Sequence, residues 1–516
     1  MFLGLLLLAA CGGGGGGGGT TGGGVGPGGG AAVLSSIAIT PANATQTVGT
    51  TQQYHATGSY SDGTTRDISG SVGWTSSAPG VAAVAPDGMV SALASGTATI
   101  TGSLGGVAGN TTVTVASPAA VTFIHDFQSA SDAQQPNGPL LQANDGNFYG
   151  TSLAGGTHQC QVGGVTGNYC GTVFKIAPNG GESILYSFGS AATEGFTPNA
   201  PLIQGKDGAL YGTTGNGGAH GAGTVFRLTL AGVYTTLYSF GASPTDGIVP
   251  TSLIQASDGN FYGTTASGGA NHCVNIPQAG SNCGTVFRLS PAGIETVLYS
   301  FGASPSDGVE PSRGLVEGID GNFYGTTADG GDNTCSSTGL THSCGTVFKI
   351  TPAGVETVLH SFGSSTADGI APTGGLIQGS DGAFYGTTSS GGGGTCGFLF
   401  GCGTVYRITQ AGSLTVLYAF ANTATPRTDG YGPTPFLIQG TDGNFYGTTN
   451  SGGAHGGDLE GTFFKLTPSG VHTVLYSFGP LSTDASHPSS VIQASDGAFY
   501  GVTDETKATA FKIVVH

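Results

Sequence analysis

Asp258-Gly259-Asn260-Phe261-Tyr262-Gly263-Thr264-Thr265 is one of seven copies of a single pattern, Asp-Gly-(Asn/Ala)-(Phe/Leu)-Tyr-Gly, whose aspartates stand at 145, 207, 258, 320, 381, 442 and 496. The steps between copies are 62, 51, 62, 61, 61 and 54 residues. Self-similarity sustained at a period of about 50 residues marks a propeller or a solenoid. Within one copy, an Asp-Gly hairpin dipeptide is followed by an aromatic and β-branched strand. Leu253-Ile254-Gln255 before it reads as a first strand, Gly284 to Leu289 as a third and Thr296 to Phe301 as a fourth. Four strands per unit is one propeller blade.

The ends of the repeat region complement each other. Val121 to Phe127 is a lone fourth-type strand, and the chain stops after a third-type strand, Thr509 to Val514. Pairing the two completes seven copies of every strand and hides two sheet edges. The sequence therefore predicts an all-β protein with a closed seven-bladed β-propeller of four-stranded blades over 121–516. An open superhelical stack is the alternative, and it leaves both fragments unpaired.

Ahead of the repeats lie three pieces. Leu8-Ala9-Ala10-Cys11 ends an apolar run too short to span a bilayer, which needs about 20 residues. Residues 12–32 form a glycine-rich tract with too little apolar surface to fold, a flexible tether. Residues 33–116 alternate apolar and polar positions between turn residues, as a β-sandwich does.

Three resemblances attach to these pieces. Residues 1–11 resemble a bacterial lipoprotein signal, which implies lipidation at Cys11; the Lys or Arg usual before the apolar run is missing. Trp74-Thr75-Ser76-Ser77, Val81 to Val84, Asp87-Gly88-Met89-Val90 and Gly96 to Ile100 resemble the group 2 bacterial immunoglobulin-like family, with Trp74 in the core. The Gly-Thr-Val-Phe strand, the Leu-Tyr-Ser-Phe strand and the Asp-Gly-x-Phe-Tyr-Gly-Thr-Thr hairpin resemble the GloVer tandem repeat of bacterial surface proteins over about 121–516. That resemblance implies surface attachment and no particular activity.

Apart from Cys11, the cysteines fall into local pairs in the loops between second and third strands: Cys160 with Cys170, Cys273 with Cys283, Cys335 with Cys344 and Cys396 with Cys402. Local pairing predicts disulfides formed in an oxidising compartment. Zinc ligation is the competing reading, but His158, His272 and His342 accompany only three of the pairs.

With 29 acidic against 12 basic residues the chain offers no basic surface for nucleic acid, and membrane contact is expected only through a lipid anchor. Seven of the basic residues occupy one repeat position: 175, 227, 288, 349, 407, 465 and 512. Structural ion pairs with the turn aspartates are expected there, such as Lys175 with Asp145 and Arg288 with Asp258. An acidic residue recurs four before a proline, from Asp132 to Asp484, and reads as a turn cap; one carboxylate per blade falls short of what calcium takes.

No catalytic motif, metal-ligand set or cofactor signature is present. Histidines 158, 220, 272, 342 and 455 sit in the long loops, which an up-and-down blade gathers on one face, the candidate binding face. Arg313, Glu317 and the stretch from Asp458 to Glu460 break the repeat symmetry. Two function classes fit. One is an exported, monomeric surface module, lipid-anchored at the cell envelope, that binds a glycan, another polymer or a protein. The other is a polysaccharide lyase or hydrolase, which requires paired carboxylates at the central opening.

Overall fold

The computed structural model describes residues 32–516 apart from 117–118, 128–131, 163–164, 168–169, 192, 274–282, 338–339, 366, 373, 394–400, 421–427, 455–459, 480–485, 504–507 and 516. Cys11 and the tether therefore lie outside the described residues, as do Cys396, His455 and Asp484. All regular elements among the described residues are strands. The chain divides into two compact units, 1–117 and 118–516.

In the first unit, Leu34–Thr40 pairs with His55–Tyr60, and Val107–Ala116 pairs with Gly96–Leu104 and, in parallel, with Ala44–Thr47. Ile37, Ile39, Tyr54, Val90, Ile100 and Val113 are buried together. Trp74 packs half-buried against this core, its indole N–H donating to Ser69 O at 3.1 Å.

The second unit is propeller-like. Among the described residues seven of its sheets have four or five antiparallel strands, and three more are two-stranded. The third sheet runs Gly247–Pro250, Phe261–Gly268, Thr285–Leu289 and Glu295–Ser300. The seventh takes Pro488–Gln493, Phe499–Thr503 and Thr509–Val514 from the end of the chain, and Ala120–Asp126 from its start. There Val121 pairs with Ile513 and Phe123 with Phe511.

The repeat motifs exist to pack one sheet on the next. Each fourth strand leads into a phenylalanine whose ring meets, edge-on, the third-strand aromatic of the following sheet: Phe188 on Phe226 at 5.3 Å, Phe301 on Phe348 at 5.1 Å. The last sheet meets the first in the same way, Phe127 on Phe174 at 5.1 Å. These rings are almost wholly buried, and such aromatic pairs add about 1 kcal/mol beyond area burial. The glycine of Tyr-Gly follows from this packing, because a Cβ at Gly212 or Gly447 would lie 2.7 Å from the ring of Phe226 or Phe464.

At the hairpin end, every motif tyrosine donates its hydroxyl to the turn aspartate of its own sheet, at 2.8 to 3.0 Å. A second link ties neighbouring sheets. The side chain of Gln255 accepts the backbone N–H of Lys206 in the preceding turn at 2.8 Å, and the same bond recurs from sheet to sheet. Its last instance joins Ser495 of the seventh sheet to Gln142 of the first, also at 2.8 Å.

The first strand differs from the Leu-Ile-Gln run expected from sequence. It is longer and broken, with Gly247–Pro250 and Ile254–Gln255 both pairing with Phe261–Gly268. The break begins at a residue in the left-handed region before the proline: Gln135, Thr197, Val249, Glu310, Ala371 and His487 have φ of 52° to 56°, and Gly432 has 62°. A branched side chain there costs roughly 1–2 kcal/mol. The strained N–H is held by the preceding sheet, as where Thr197 donates to Cys170 O at 2.9 Å and Val249 to Ala222 O at 2.9 Å.

Candidate binding face and axial opening

Disulfides join Cys160 to Cys170, Cys273 to Cys283 and Cys335 to Cys344. Cys402 is also disulfide-bonded, and Cys396 lies outside the described residues. Each of the three fully described sulfur pairs packs against the glycine that follows the fourth-strand phenylalanine. A Cβ at Gly189 would lie 2.7 Å from Cys170 Sγ and 2.8 Å from Cys160 Sγ, and Gly302 and Gly363 meet their cysteines in the same way. In the second sheet Ala222 takes this place, 2.9 Å from where a Gly241 Cβ would be. The long loop and the link to the next sheet therefore emerge at one end of each sheet.

Among the described residues the predicted loop histidines form no metal-ligand cluster. His220 and His272 are exposed, and His158 is half-buried with Nδ1 3.3 Å from Thr157 Oγ1. His342 lies on Leu340–Ser343, its side chain outside the described set. What the fourth sheet does provide is a polar cleft of about 420 Å³ between its long loop and its entering link, lined by Ser306, Asp332, Asn333, His360 and Ser361. Asn333 is fixed by donating to the carbonyls of Ser361 (3.0 Å) and Phe362 (2.9 Å). Asp332 is exposed beside it.

The axial opening has the opposite character. A cavity of about 210 Å³ there is bounded by Pro201, Leu253, Gly314, Leu376, Pro435 and Phe436, residues of the first-strand breaks, and no carboxylate lines it among the described residues. Arg313, a sequence symmetry break, spans from the fourth sheet to the first, where it donates to Asn137 Oδ1 at 3.1 Å. Burial lowers its pKa. Glu317 has a structural role: it replaces the belt glutamine and accepts both the N–H (2.7 Å) and the hydroxyl of Ser257. Glu460, the described member of the third break, is buried.

Six of the seven repeated cations are paired. Lys175 reaches Asp145 at 3.9 Å, Arg227 reaches Asp207 at 2.7 Å, and Lys349, Arg407, Lys465 and Lys512 pair likewise within their own sheets. For Asp258 the expected direct pair with Arg288 is not formed among the described residues; Arg288 acts by charge, after Asn260 and Tyr262 have taken the carboxylate as a turn cap and hydroxyl acceptor. The pairs are a third exposed, so each contributes little.

The acids four before the prolines do more than cap turns. Asp132, Glu194, Asp246, Asp307 and Asp368 are buried. Asp246 accepts the backbone N–H groups of Gly241 and Ala242, and also the Tyr238 hydroxyl at 2.9 Å from the preceding fourth strand. Tyr299, Tyr418 and His360 serve Asp307, Asp429 and Asp368 in the same way. A third group, the first residue of the next fourth strand, varies between sheets. Burial, then the charge of Asp246, raises Glu295 to about 7; burial and Asp307 raise Glu356 to about 8. At another junction burial lowers His472 to about 4, its ring stacked 4.2 Å from Tyr418. Sequence reasoning missed these partners because no motif marks them.

A family model described as the Gloeobacter/Verrucomicrobia repeat matches residues 40–277, 274–402 and 334–514. The matched span thus begins well before 121, where the sequence reading started it. Ice-binding protein 1 of Shewanella frigidimarina (strain NCIMB 400) is 47% identical over 72 residues, 14% of this chain and 8% of that protein. Among solved structures, the WD40 β-propeller domain of Doa1 is 11% identical with a TM-score of 0.45, covering 76% of this chain and 97% of that one. The periplasmic gluconolactonase PpgL of Pseudomonas aeruginosa is 15% identical with a TM-score of 0.39, covering 67% and 91%.

Proposed function

The chain belongs to the Gloeobacter/Verrucomicrobia repeat family, and we propose that it is an exported, lipid-anchored surface module that binds a glycan or another surface polymer without transforming it. In this reading Cys11 carries the lipid, residues 12–32 are the tether, 33–116 form an immunoglobulin-like spacer, and 121–516 form a closed seven-bladed propeller. The observation that carries the reading is the polar cleft at Asp332 and Asn333, built on a disulfide-stapled loop. Rigid scaffolds present ligands with such loops, and a small set of fixed amide and carboxylate groups suits polyhydroxylated ligands. The stapling itself supports export, since disulfides persist in oxidising compartments. The rival enzyme reading needs two carboxylates across the central opening. The described lining of that opening is apolar.

The test is a glycan and surface-polymer array probed with the full-length protein and with Asp332→Ala. The expected result is a hit that weakens about tenfold or more in the variant, with the hit recovered uncleaved after incubation. Cleavage of the hit would establish the enzyme reading instead, and equal binding by both proteins would remove the cleft from it. In the same host, a palmitate analogue should label the parent and not Cys11→Ser; equal labelling overturns the anchor.

A further inference from the structure

The junction where the last sheet meets the first is chemically unlike the other five described junctions. His125 stands where four other described junctions have tyrosine and one has His360. His125 lies on Ala120–Asp126, the strand that completes the seventh sheet. Its Nε2 is 3.3 Å from Oδ2 of Asp132, which is 8% exposed. On the other side, Glu182 opens the fourth strand of the first sheet, and its Oε1 is buried without a hydrogen-bond partner. One ligand atom from each of the three side chains lies within 4.8 Å of the others.

Two carboxylates converging in a buried place need something positive between them. At the Asp246–Glu295 and Asp307–Glu356 junctions the third group is a tyrosine hydroxyl, already donating its proton to the aspartate, so protonation of the glutamate is what remains to relieve those pairs. Imidazole differs, because its neutral ring presents a nitrogen lone pair. The other histidine junction has His360 and Asp368, but Leu414 occupies the place of the glutamate, so it lacks a third ligand. One nitrogen and two carboxylate oxygens form a borderline donor set of the kind zinc takes, with water completing the shell. On a tetrahedral ion with bonds of about 2.1 Å, neighbouring ligands are about 3.4 Å apart, and side-chain rotation of Glu182 can close that gap.

We propose that His125, Asp132 and Glu182 form a site for a divalent transition-metal cation of the zinc class, which clamps the closing strand to the first sheet. The ligands come from the closing strand, the link that follows it and the first sheet, so occupancy couples cation binding to retention of the closing strand. Metal bound only by the folded form stabilises it by mass action.

The test uses the full-length protein dialysed against EDTA, titrated with zinc chloride by calorimetry and melted with and without the metal. One zinc ion per chain and a raised melting temperature are expected. Glu182→Gln and His125→Asn should each weaken binding about tenfold or more, whereas His360→Asn should leave it unchanged. In EDTA, Glu182→Gln should melt no lower than the parent, because the substitution removes carboxylate repulsion; this shows that the variant folds. Absence of zinc binding, or binding retained in Glu182→Gln, overturns the site and leaves only the His125–Asp132 contact.

Discussion

Glu295 and Glu356 carry folded pKa values of about 7 and about 8 against 4.5 in an open chain. Glu295 faces Asp246 and Tyr238, and Glu356 faces Asp307 and Tyr299. Between pH 4.5 and those folded values the native state holds protons that the unfolded chain has released, so stability falls as pH rises through that window. Glu295→Gln and Glu356→Gln should each stabilise by on the order of 1 kcal/mol at pH 8, after discounting for partial exposure, and should change little at pH 4.5. Urea unfolding at pH 5, 6.5 and 8 checks this, and an unaltered pH slope in the double variant refutes it. His472 acts in the opposite sense, since its lowered pKa removes stability as pH falls from 6.5 towards 4, so the comparison is made against the parent at each pH. At this scale the sequence was legible wherever a residue repeats. The turn aspartates, the Tyr-Gly pairs and the acids before the prolines were visible as positions. Their partners were not, because Glu295 and Glu356 share their place with Tyr234, Leu414 and His472 in other sheets.

In the first, third and fourth sheets the stapled loop is an element whose tightness is set by one glycine. Gly302 has φ of +78°, and a Cβ there would strike the sulfur of Cys283. Gly259, in an Asp-Gly turn, has φ of +88° and nothing within 4 Å of that Cβ position. Gly259→Ala should therefore cost only backbone strain, about 1 kcal/mol, and Gly302→Ala roughly twice that or more. Replacing Cys273 and Cys283 by serine opens a short loop on a well-packed scaffold and should cost at most about 3 kcal/mol on the chain-entropy estimate. Denaturant midpoints for the three variants decide the matter, and equal losses for the two glycine variants would deny the close packing of sulfur on glycine. The local cysteine pairs could be read from spacing. The broken first strand could not, because proline ordinarily steers its predecessor away from helical backbone angles, and only the hydrogen bond from the neighbouring sheet makes the left-handed turn tolerable.

For the whole repeat unit, closure uses the same contacts as every internal junction: the Phe127–Phe174 ring pair, the Ser495–Gln142 bond and the paired strand at Thr509–Val514. Deleting 117–130 removes the first and third of these and should lower melting cooperatively, with association through the bared strand edge. Deleting 33–116 should leave the repeat unit's melting nearly unchanged, given its separate core. Calorimetry and size exclusion compare the two, and a monomeric parent-like melt from the first deletion would refute closure. The complementary end fragments made this pairing legible from sequence alone. The glutamine belt was not, since a glutamine after two aliphatic residues looks like any polar strand end. The one-strand offset between the sequence repeat and the sheet has a further result. Unequal recombination that adds or drops a whole repeat leaves the leading and trailing fragments matched, so such a lineage can change its number of sheets in single steps without passing through a product that exposes an unmated edge.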